Sequence, residues 1–395
     1  MPAKNEKFML DFIKEVCDKI GPRPACSEEE RKCASLLEER LKEFSDFTKI
    51  DKFYCHPDAY KASFRWPILI YVASIPFYYF IPVVSVILTS FALLILFGET
   101  AQNREIIDFI FEKKESTNVI AKIKPKKEVK GIIILSGHHD SNVEFPLGRK
   151  YGNKINIFMS SPIFFNILLL IASITRTAIQ LSQLITFITI CFFIATIPYF
   201  LFLYKYIISD IPVIGANDNL SALAVCLAVA KHFSHDKNRL KNSELWIVSF
   251  GCEEIGIRGS KRFVSKYLNE IKDAYHINLD LVGEKGCHLF VNTKEEMGTI
   301  KLSPEVYNII ENAAKKIGKT VEKKGILSFT DSMSFVKKGI KSAGIVALQP
   351  NGDMPRFYHT TNDTFDIIDP NLLRDCLKIC IQTIQDIDEN ISKRF

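Results

Sequence analysis

Two long stretches without charge decide most of what this chain can fold into. No charged residue occurs from Trp66 to Gly98, and between Ile155 and Tyr204 there is only Arg176. A buried helix of a soluble protein rarely stays apolar beyond about 14 residues, whereas about 20 apolar residues span a bilayer. The second stretch is therefore predicted to form two spanning helices, roughly 157–175 and 183–204, with the polar patch Thr175 to Gln183 as their turn. The first is long for one span and short for two. Pro76 and Pro82 in its middle fit a hairpin of two short helices, roughly 64–81 and 82–98. One long tilted span is the competing reading, and buried helices of a soluble protein are the alternative for both stretches.

The apolar excess of the composition, 47% hydrophobic with 30 Phe, concentrates in these stretches. The net charge of +6 comes from scattered lysines, without the basic, aromatic-interleaved stripe of a nucleic-acid binder, so no nucleic-acid partner is expected. None of the ten cysteines forms a CxxC pair, and Met1 to Lys19 reads as a charged amphipathic helix, not a signal peptide. Free thiols in a reducing compartment follow. Lys61, Arg65, Arg104, Arg149, Lys150, Lys154 and Lys205 flank the apolar stretches, which places the remaining domain on the cytoplasmic side of a membrane by the positive-inside rule.

Outside the insertions, strand and helix patterns alternate. Ser27 with Glu28–Glu30 reads as a capping box opening a helix to about Phe44. Phe47–Phe53, Asn118–Ile123, Gly131–Leu135, Glu244–Phe250, Tyr275–Leu281 and Ser342–Leu348 read as strands. Helices are expected over Gln102–Lys113, Asn219–Phe233, Ser260–Tyr267, Pro304–Ile317 and Pro370–Ile387. The pattern argues for an α/β fold, a mainly parallel mixed sheet sandwiched by helices, interrupted by two transmembrane hairpins. The expected organisation is a catalytic domain of 1–62, 100–156 and 207–395, with membrane insertions at 63–99 and 157–206. No internal repeat is visible.

In open α/β sheets ligands bind beyond the carboxyl ends of strands. Histidines and carboxylates recur at those places: Gly137-His-His-Asp-Ser141, Gly215-Ala-Asn-Asp-Asn219, Cys252-Glu-Glu-Ile-Gly256, Asn278-Leu-Asp280 and Tyr358-His-Thr-Thr-Asn-Asp363. Each alone is unremarkable. A His-x-Asp loop is usually surface chemistry, Glu253-Glu254 a solvated pair, and Asp218 ahead of a helix an N-cap. Their joint order on an α/β pattern points to a zinc site, since His and carboxylate are zinc ligands.

The segments GHHDS, GANDNLSA, CEEIGIRGS, NLDLVG and YHTTNDTFD resemble the motif set of the dinuclear zinc aminopeptidases. That family includes bacterial leucyl aminopeptidase and aminopeptidase Y and is related to glutamate carboxypeptidase and glutaminyl cyclase. The resemblance covers nearly all the chain outside the insertions. It implies two zinc ions per chain: His138 and Asp280 on one, Glu254 and His359 on the other, Asp218 bridging both. It implies that Asp140 orients the His138 imidazole. Glu253 would be the general base toward a bridging water or hydroxide, and Tyr358 would steady the oxyanion. Asp331, in Thr330-Asp-Ser332, resembles a residue lining the substrate site, with Phe335 behind it. The expected activity is removal of the N-terminal residue of a peptide substrate at a lipid bilayer. The alternatives are a glutaminyl-cyclase-like or carboxypeptidase reaction in the same site, or a silent membrane receptor or adaptor.

Other features fit less chemistry. His139 is read as a wall residue of the site, Cys252 as packing, and His232 with His235 as a pair lacking a third ligand. HExxH is absent, which excludes a thermolysin-type site. Both ends of 141–215 lie in site motifs, so the second insertion is expected at the active-site rim, with substrates arriving at the bilayer surface. The sequence is silent on oligomeric state.

Overall fold

The protein is described by a computed structural model covering residues 2–295 and 298–394. The first elements are α1 (Pro2–Lys19), α2 (Glu28–Lys42), β1 (Phe47–Cys55), α3 (Pro57–Phe80), α4 (Pro82–Ile95), β2 (Lys114–Ile123) and β3 (Gly131–His138). Next come α5 (Pro146–Tyr151), α6 (Ile155–Ala178), α7 (Gln183–Tyr206), α8 (Ser221–Ser234), β4 (Ser243–Phe250), α9 (Arg258–Ile271) and β5 (Tyr275–Asp280). The chain closes with β6 (His288–Glu295), β7 (Ile300–Lys301), α10 (Pro304–Lys316), β8 (Glu322–Gly325), α11 (Ser332–Val336), β9 (Lys341–Leu348) and α12 (Pro370–Arg394). Two compact units result: residues 1–55, 114–142 and 212–395 form the first, and residues 56–113 and 143–211 the second.

The first unit is built on one mixed sheet in the order β1-β2-β4-β3-β5-β9-β6-β7, with β8 beside β6. Its centre is parallel, β4 with β3, β3 with β5 and β5 with β9. Antiparallel pairings flank it, at β1–β2, β2–β4 and β9–β6. The central strands are apolar on both faces because both faces are covered. Side chains alternate across a strand, so Ile133 and Leu135 of β3 enter one core while Ile134 enters the other. β4 divides likewise, Leu245 and Ile247 against Trp246, Val248 and Phe250. The larger core takes apolar residues of α1, α2, α8, α10 and α12, such as Phe12, Leu37, Leu227, Ile310 and Ile384. The other is closed by α9 and α11 through Phe263, Tyr267 and Phe335. This is a helix–sheet–helix sandwich, the fold class expected.

Three differences from the sequence reading have local causes. No helix spans Gln102–Lys113, only a short 3-10 turn at Asp108–Ile110. The Glu99 carboxylate accepts from the amides of Ile106 and Ile107, which withdraws them from helical pairing. Strands β6, β7 and β8 were not read, because β7 is two residues long and Glu-Lys-Lys-Gly of β8 is largely exposed with no apolar alternation. Glu30 does not close a capping box on Ser27. Ser27 Oγ caps Glu30 N at 3.0 Å, but the buried Glu30 carboxylate accepts instead from Cys26 N at 2.8 Å and Cys252 N at 2.9 Å.

The second unit contains α3, α4, α6 and α7. Three helical stretches are long and apolar enough to cross a membrane: Pro82–Glu99, Ile155–Ala178 and Gln183–Tyr206. α3 carries Pro67 and Pro76 within it and ends at Ile81, whose φ of −143° and ψ of 76° separate it from α4. Within the unit, Tyr71, Tyr78, Leu169, Phe193, Phe200 and Leu203 form an aromatic-rich core. Tyr71 Oη hydrogen-bonds Thr196 Oγ1 at 2.9 Å. Arg176 donates to the Tyr78 and Tyr79 carbonyls and to Thr186 Oγ1, joining the end of α3 to the α6–α7 turn. Other large apolar side chains face outward, including Phe80 at 75% exposure and Leu184 at 67%.

Candidate metal centre

His138 ends β3, Asp280 ends β5, Glu253 and Glu254 follow β4, and His359 lies in the loop after β9. Because these strands are mutually parallel at the sheet centre, their carboxyl ends share one edge. Asp218 comes from the irregular segment Ala216–Leu220 that opens α8, and its peptide bond to Asn219 is cis. The structure brings five of these residues into two groups: His138, Asp218 and Asp280, and Asp218, Glu254 and His359. Within each group the potential ligand atoms lie within 4.8 Å of one another. Asp218 is common to both and divides its oxygens, Oδ1 at 3.2 Å from His138 Nε2 and Oδ2 at 3.2 Å from His359 Nε2. Glu254 Oε2 stands 3.0 Å from His359 Nε2, and Asp280 Oδ1 3.8 Å from His138 Nε2. Glu253 belongs to neither group but reaches within 3.8 Å of His138 Nε2.

The backbone is bent to make this edge. Cys252, Ile257, Leu281 and His359, beside or at the site residues, all take positive φ without being glycine. Such conformations cost of order 1–3 kcal/mol each and persist where surroundings over-determine them. Gly215, at φ +64°, is required: a Cβ there would strike the Asp218 carbonyl oxygen and lie 2.8 Å from Ser141 Cβ. Buried polar groups then fix each loop. Asp140 accepts from Glu253 N and Glu254 N, both at 3.0 Å, and its Oδ1 lies 3.4 Å from His138 Nδ1. The Asp140 main-chain carbonyl also lies 3.2 Å from His138 Nδ1, so residue 140 holds both the imidazole and the loop of the two glutamates.

The site gathers buried carboxylates around two imidazoles. Burial and the Asp218 charge push Glu254 up to about 7, and burial raises Asp280. Burial also pushes Asp331 up to about 7, with Asp280 and Asp140 adding to it. Glu253 is driven well above the carboxylate range by burial and by Asp331, Glu254 and Asp280. Against burial, Glu254 and Asp218 lift His359 to about 10, and Glu253, Asp140, Asp218 and Asp280 raise His138. The paired histidines in turn hold Asp218 down despite its burial. Protons on two imidazoles are the protein's own answer to this crowd of carboxylates. A dication held by the same groups would neutralise the same carboxylate charge and reverse the local pKa order. One oxygen each of Glu254 and Asp280 is buried without a hydrogen-bond partner. The donor set, imidazole and carboxylate, fits zinc.

The remaining expected residues fall around this centre. Tyr358 stacks on the His359 ring, centroids 3.7 Å apart, and burial holds its phenol protonated. Asp331 is fully buried. His139, read as a wall residue, is instead an interior residue: fully buried, its Nδ1 2.8 Å from Ser249 Oγ, and lowered to about 3 by burial. His232 and His235 join no metal-type group among the described residues.

Sequence reading missed several supports. Asp363 accepts from Asn217 N at 2.7 Å and Asp218 N at 3.0 Å. Asn142 donates to Glu254 Oε2 at 2.7 Å. Glu284 accepts from Arg356 N at 2.8 Å in the loop leading to His359. Arg23, wholly buried, donates to the carbonyls of His139, Ile214 and Gly215. Asp363 had a signal, since it stands four residues after His359 within the same motif.

Comparison with known proteins agrees with this geometry. Residues 200–384, which contain Asp218, Glu253, Glu254, Asp280 and His359, match Peptidase family M28. Aminopeptidase YwaD of Bacillus subtilis (strain 168) is 31% identical over 167 residues, which are 40% of this chain and 35% of the relative. The match therefore spans about a third of that relative's length. A zinc aminopeptidase from Bacillus subtilis superposes with a TM-score of 0.59 at 17% identity, covering 97% of this chain and 95% of that one. A glutaminyl cyclase from Bacteroides thetaiotaomicron gives 0.58 at 16%, covering 96% and 97%. An aminopeptidase from Aneurinibacillus sp. strain AM-1 gives 0.56 at 18%, covering 96% and 93%. Over residues 200–384 the chain carries the pattern of peptidase family M28, and over nearly its whole length it has the fold of these zinc aminopeptidases and glutaminyl cyclases.

Proposed function

We propose that this chain is a membrane-embedded metallo-aminopeptidase that holds two zinc ions and removes the N-terminal residue of peptides. The observation that carries the reading is the pair of ligand groups sharing Asp218, with Glu253 beside them and in neither. His138 and Asp280 would hold one ion and Glu254 and His359 the other, with Asp218 common to both groups. Zinc in such a site polarises a scissile carbonyl and lowers the pKa of water. Glu253, kept basic by its buried neighbours, takes the proton of the attacking water and passes it to the leaving amine. The protonated Tyr358 phenol donates to the developing oxyanion. Asp140 keeps the His138 ring and the Glu253 loop in register. Asp331 lines the substrate side.

The outward apolar faces of α4, α6 and α7 support the membrane part of the reading. Two hairpins return the chain to one side of the bilayer each time, and the flanking lysines and arginines favour the cytoplasmic side.

A glutaminyl-cyclase reaction is the second reading, favoured by the likeness to solved cyclases. Detergent-purified chain assayed on N-terminal aminoacyl substrates and on an N-terminal Gln peptide separates the two. Aminopeptidase turnover that stops on chelation, and that falls about 10²–10⁴-fold in Glu253→Ala while that variant keeps its metal, is the expected result. Cyclisation of the Gln peptide without peptide hydrolysis, or turnover indifferent to Glu253, refutes the proposal.

A further inference from the structure

Three thiols converge in the first unit outside the His/carboxylate centre. Cys26 precedes α2, Cys55 ends β1 and Cys252 follows β4. Their Sγ atoms form a near-equilateral triangle, 3.3 Å between Cys26 and Cys55 and 3.5 Å from each of these to Cys252. Cys55 and Cys252 are wholly buried, and Cys26 is 7% exposed. The three sulfurs form a group of mutually close potential ligands, and Glu30 Oε1, 3.4 Å from Cys252 Sγ, is a harder donor beside one of them.

Three packing cysteines have no need to point at one another. Tetrahedral zinc, with Zn–S of about 2.3 Å and Zn–O of about 2.0 Å, sets its sulfurs ~3.8 Å apart and a carboxylate oxygen ~3.5 Å from a sulfur. The observed separations come within about half an ångström of those values. We propose that Cys26, Cys55, Cys252 and Glu30 hold one structural zinc ion, distinct from the His138–His359 centre.

Burial raises Cys252 and Glu30, and the thiol cluster raises Cys26, so an ion would have to offset that cost. Hydrogen bonds from Cys252 and Cys26 pull the Cys55 thiol down against its burial, and the Arg258 and Arg262 charges act the same way. The Arg258 guanidinium is itself buried, and its backbone N–H bonds the Cys252 carbonyl at 2.9 Å. It offsets part of the negative charge that three thiolates and a carboxylate bring to one dication. A mixed sulfur–oxygen set selects zinc over copper(I), which takes soft donors alone. With Glu30 turned onto the ion, four protein ligands would leave no open position, as in structural rather than catalytic zinc sites. Two of the three cysteines, Cys26 at φ 63° and Cys252 at φ 54°, sit in left-handed backbone, which four bonds to one ion would hold in place. The ion would pin Cys252, and with it the start of the loop that presents Glu253 and Glu254. It ties that loop to the segment before α2 and to the end of β1.

The test uses the full-length chain, reduced, purified in detergent and loaded with cobalt(II) in place of zinc. A thiolate-to-cobalt charge-transfer band in the near ultraviolet is expected from the wild type. It steps down in Cys55→Ser and disappears in the Cys26→Ser/Cys55→Ser pair, which also binds one zinc fewer per chain. Glu30→Gln keeps the band but shifts the cobalt d–d transitions. His359→Ala loses activity with the band unchanged, so failure of this site and failure of the aminopeptidase reading are separately visible. The wild-type spectrum needs no variant to fold. Absence of the band in the wild type overturns the proposal. So does a band indifferent to the cysteine substitutions, or a thiol titration of the metal-free chain that finds two of the three tied in a disulfide.

Discussion

The two units of this molecule obey opposite surface rules. In the first, apolar residues such as Leu227 and Ile247 line the space between sheet and helices, at 1% exposure each. In the second, residues of the same kind face outward: Ile87 at 62%, Phe187 at 61%, Ile194 at 49%. The first unit gathers buried carboxylates at its strand ends, whereas Lys61 and Arg65 of the second pair with the exposed Asp210 near its helix ends. On the proposed membrane reading one chain is written for two solvents, and the measure of a side chain is which solvent it meets. An exposed Leu in the first unit is incidental; under the proposed reading an exposed Ile in the second is lipid-facing surface.

Matched substitutions can break this comparison. Leu227→Ala, in the first unit's core, is expected to cost about 2–5 kcal/mol, the sum of transfer and cavity terms. Leu169→Ala, equally buried in the second unit, is expected to cost less than ~2 kcal/mol, because lipid tails are as apolar as Leu and the transfer part vanishes. Thermal melts in detergent read both, and equal losses would refute two solvents. Next in size, Ile194→Arg near the middle of α7 is expected to lower membrane insertion by ~3 kcal/mol. Leu327→Arg, exposed to 62% in the first unit, is expected to shift stability by less than ~0.5 kcal/mol. Insertion of Ile194→Arg at wild-type level would return α7 to a water-exposed role. The interior of the first unit is sharpened by Asp140→Asn, which keeps the shape but weakens the bonds to His138 and the Glu253 loop. It is expected to reduce metal affinity or activity about 10–100-fold, checked by competition with a chelator.

The smallest effect belongs to the first unit's surface. Burial opposes ionisation of Asp46, but the Lys124 amide at 2.7 Å and Arg239 at 2.7 Å outweigh it and lower its pKa. A depressed carboxylate stabilises at pH above its unfolded value of about 3.8, and that contribution disappears as pH falls through the folded value. Asp46→Asn is therefore expected to cost ~1 kcal/mol or less at pH 7 and nothing in strong acid, as read from melts across pH.

That His138, Asp218, Glu254 and Asp280 meet was legible because each sits at or beside a strand end or helix start, and parallel strands bring those ends together, whereas His359 stands well along the loop after β9 and was placed only by its motif. The prolines at 76 and 82 likewise carried local information about the break after Phe80. What was illegible is non-local. Arg23 reaches carbonyls of His139, Ile214 and Gly215, and Glu30 reaches Cys252 N, partners that no spacing rule anticipates. Cys26, Cys55 and Cys252 share no motif; only the sheet order that lays β1, β2 and β4 side by side makes them neighbours. Polar edge strands such as β8 failed for the converse reason, having no buried face to impose alternation.

The strand order also sets a timetable. β3 pairs in parallel with β4, yet all of α6 and α7 is made between them. Roughly a hundred residues separate the two strands, which a ribosome adding about 5–20 residues each second takes some 5–20 s to supply. Through that interval the apolar β3 waits without either of its neighbours, β4 and β5. β1 has already waited out α3 and α4 for β2. Birth of this protein is therefore a matter of sequence in time: the sheet closes only after the second apolar pair has been handed on, and slow elongation through residues 143–242 prolongs the exposure of a sticky strand.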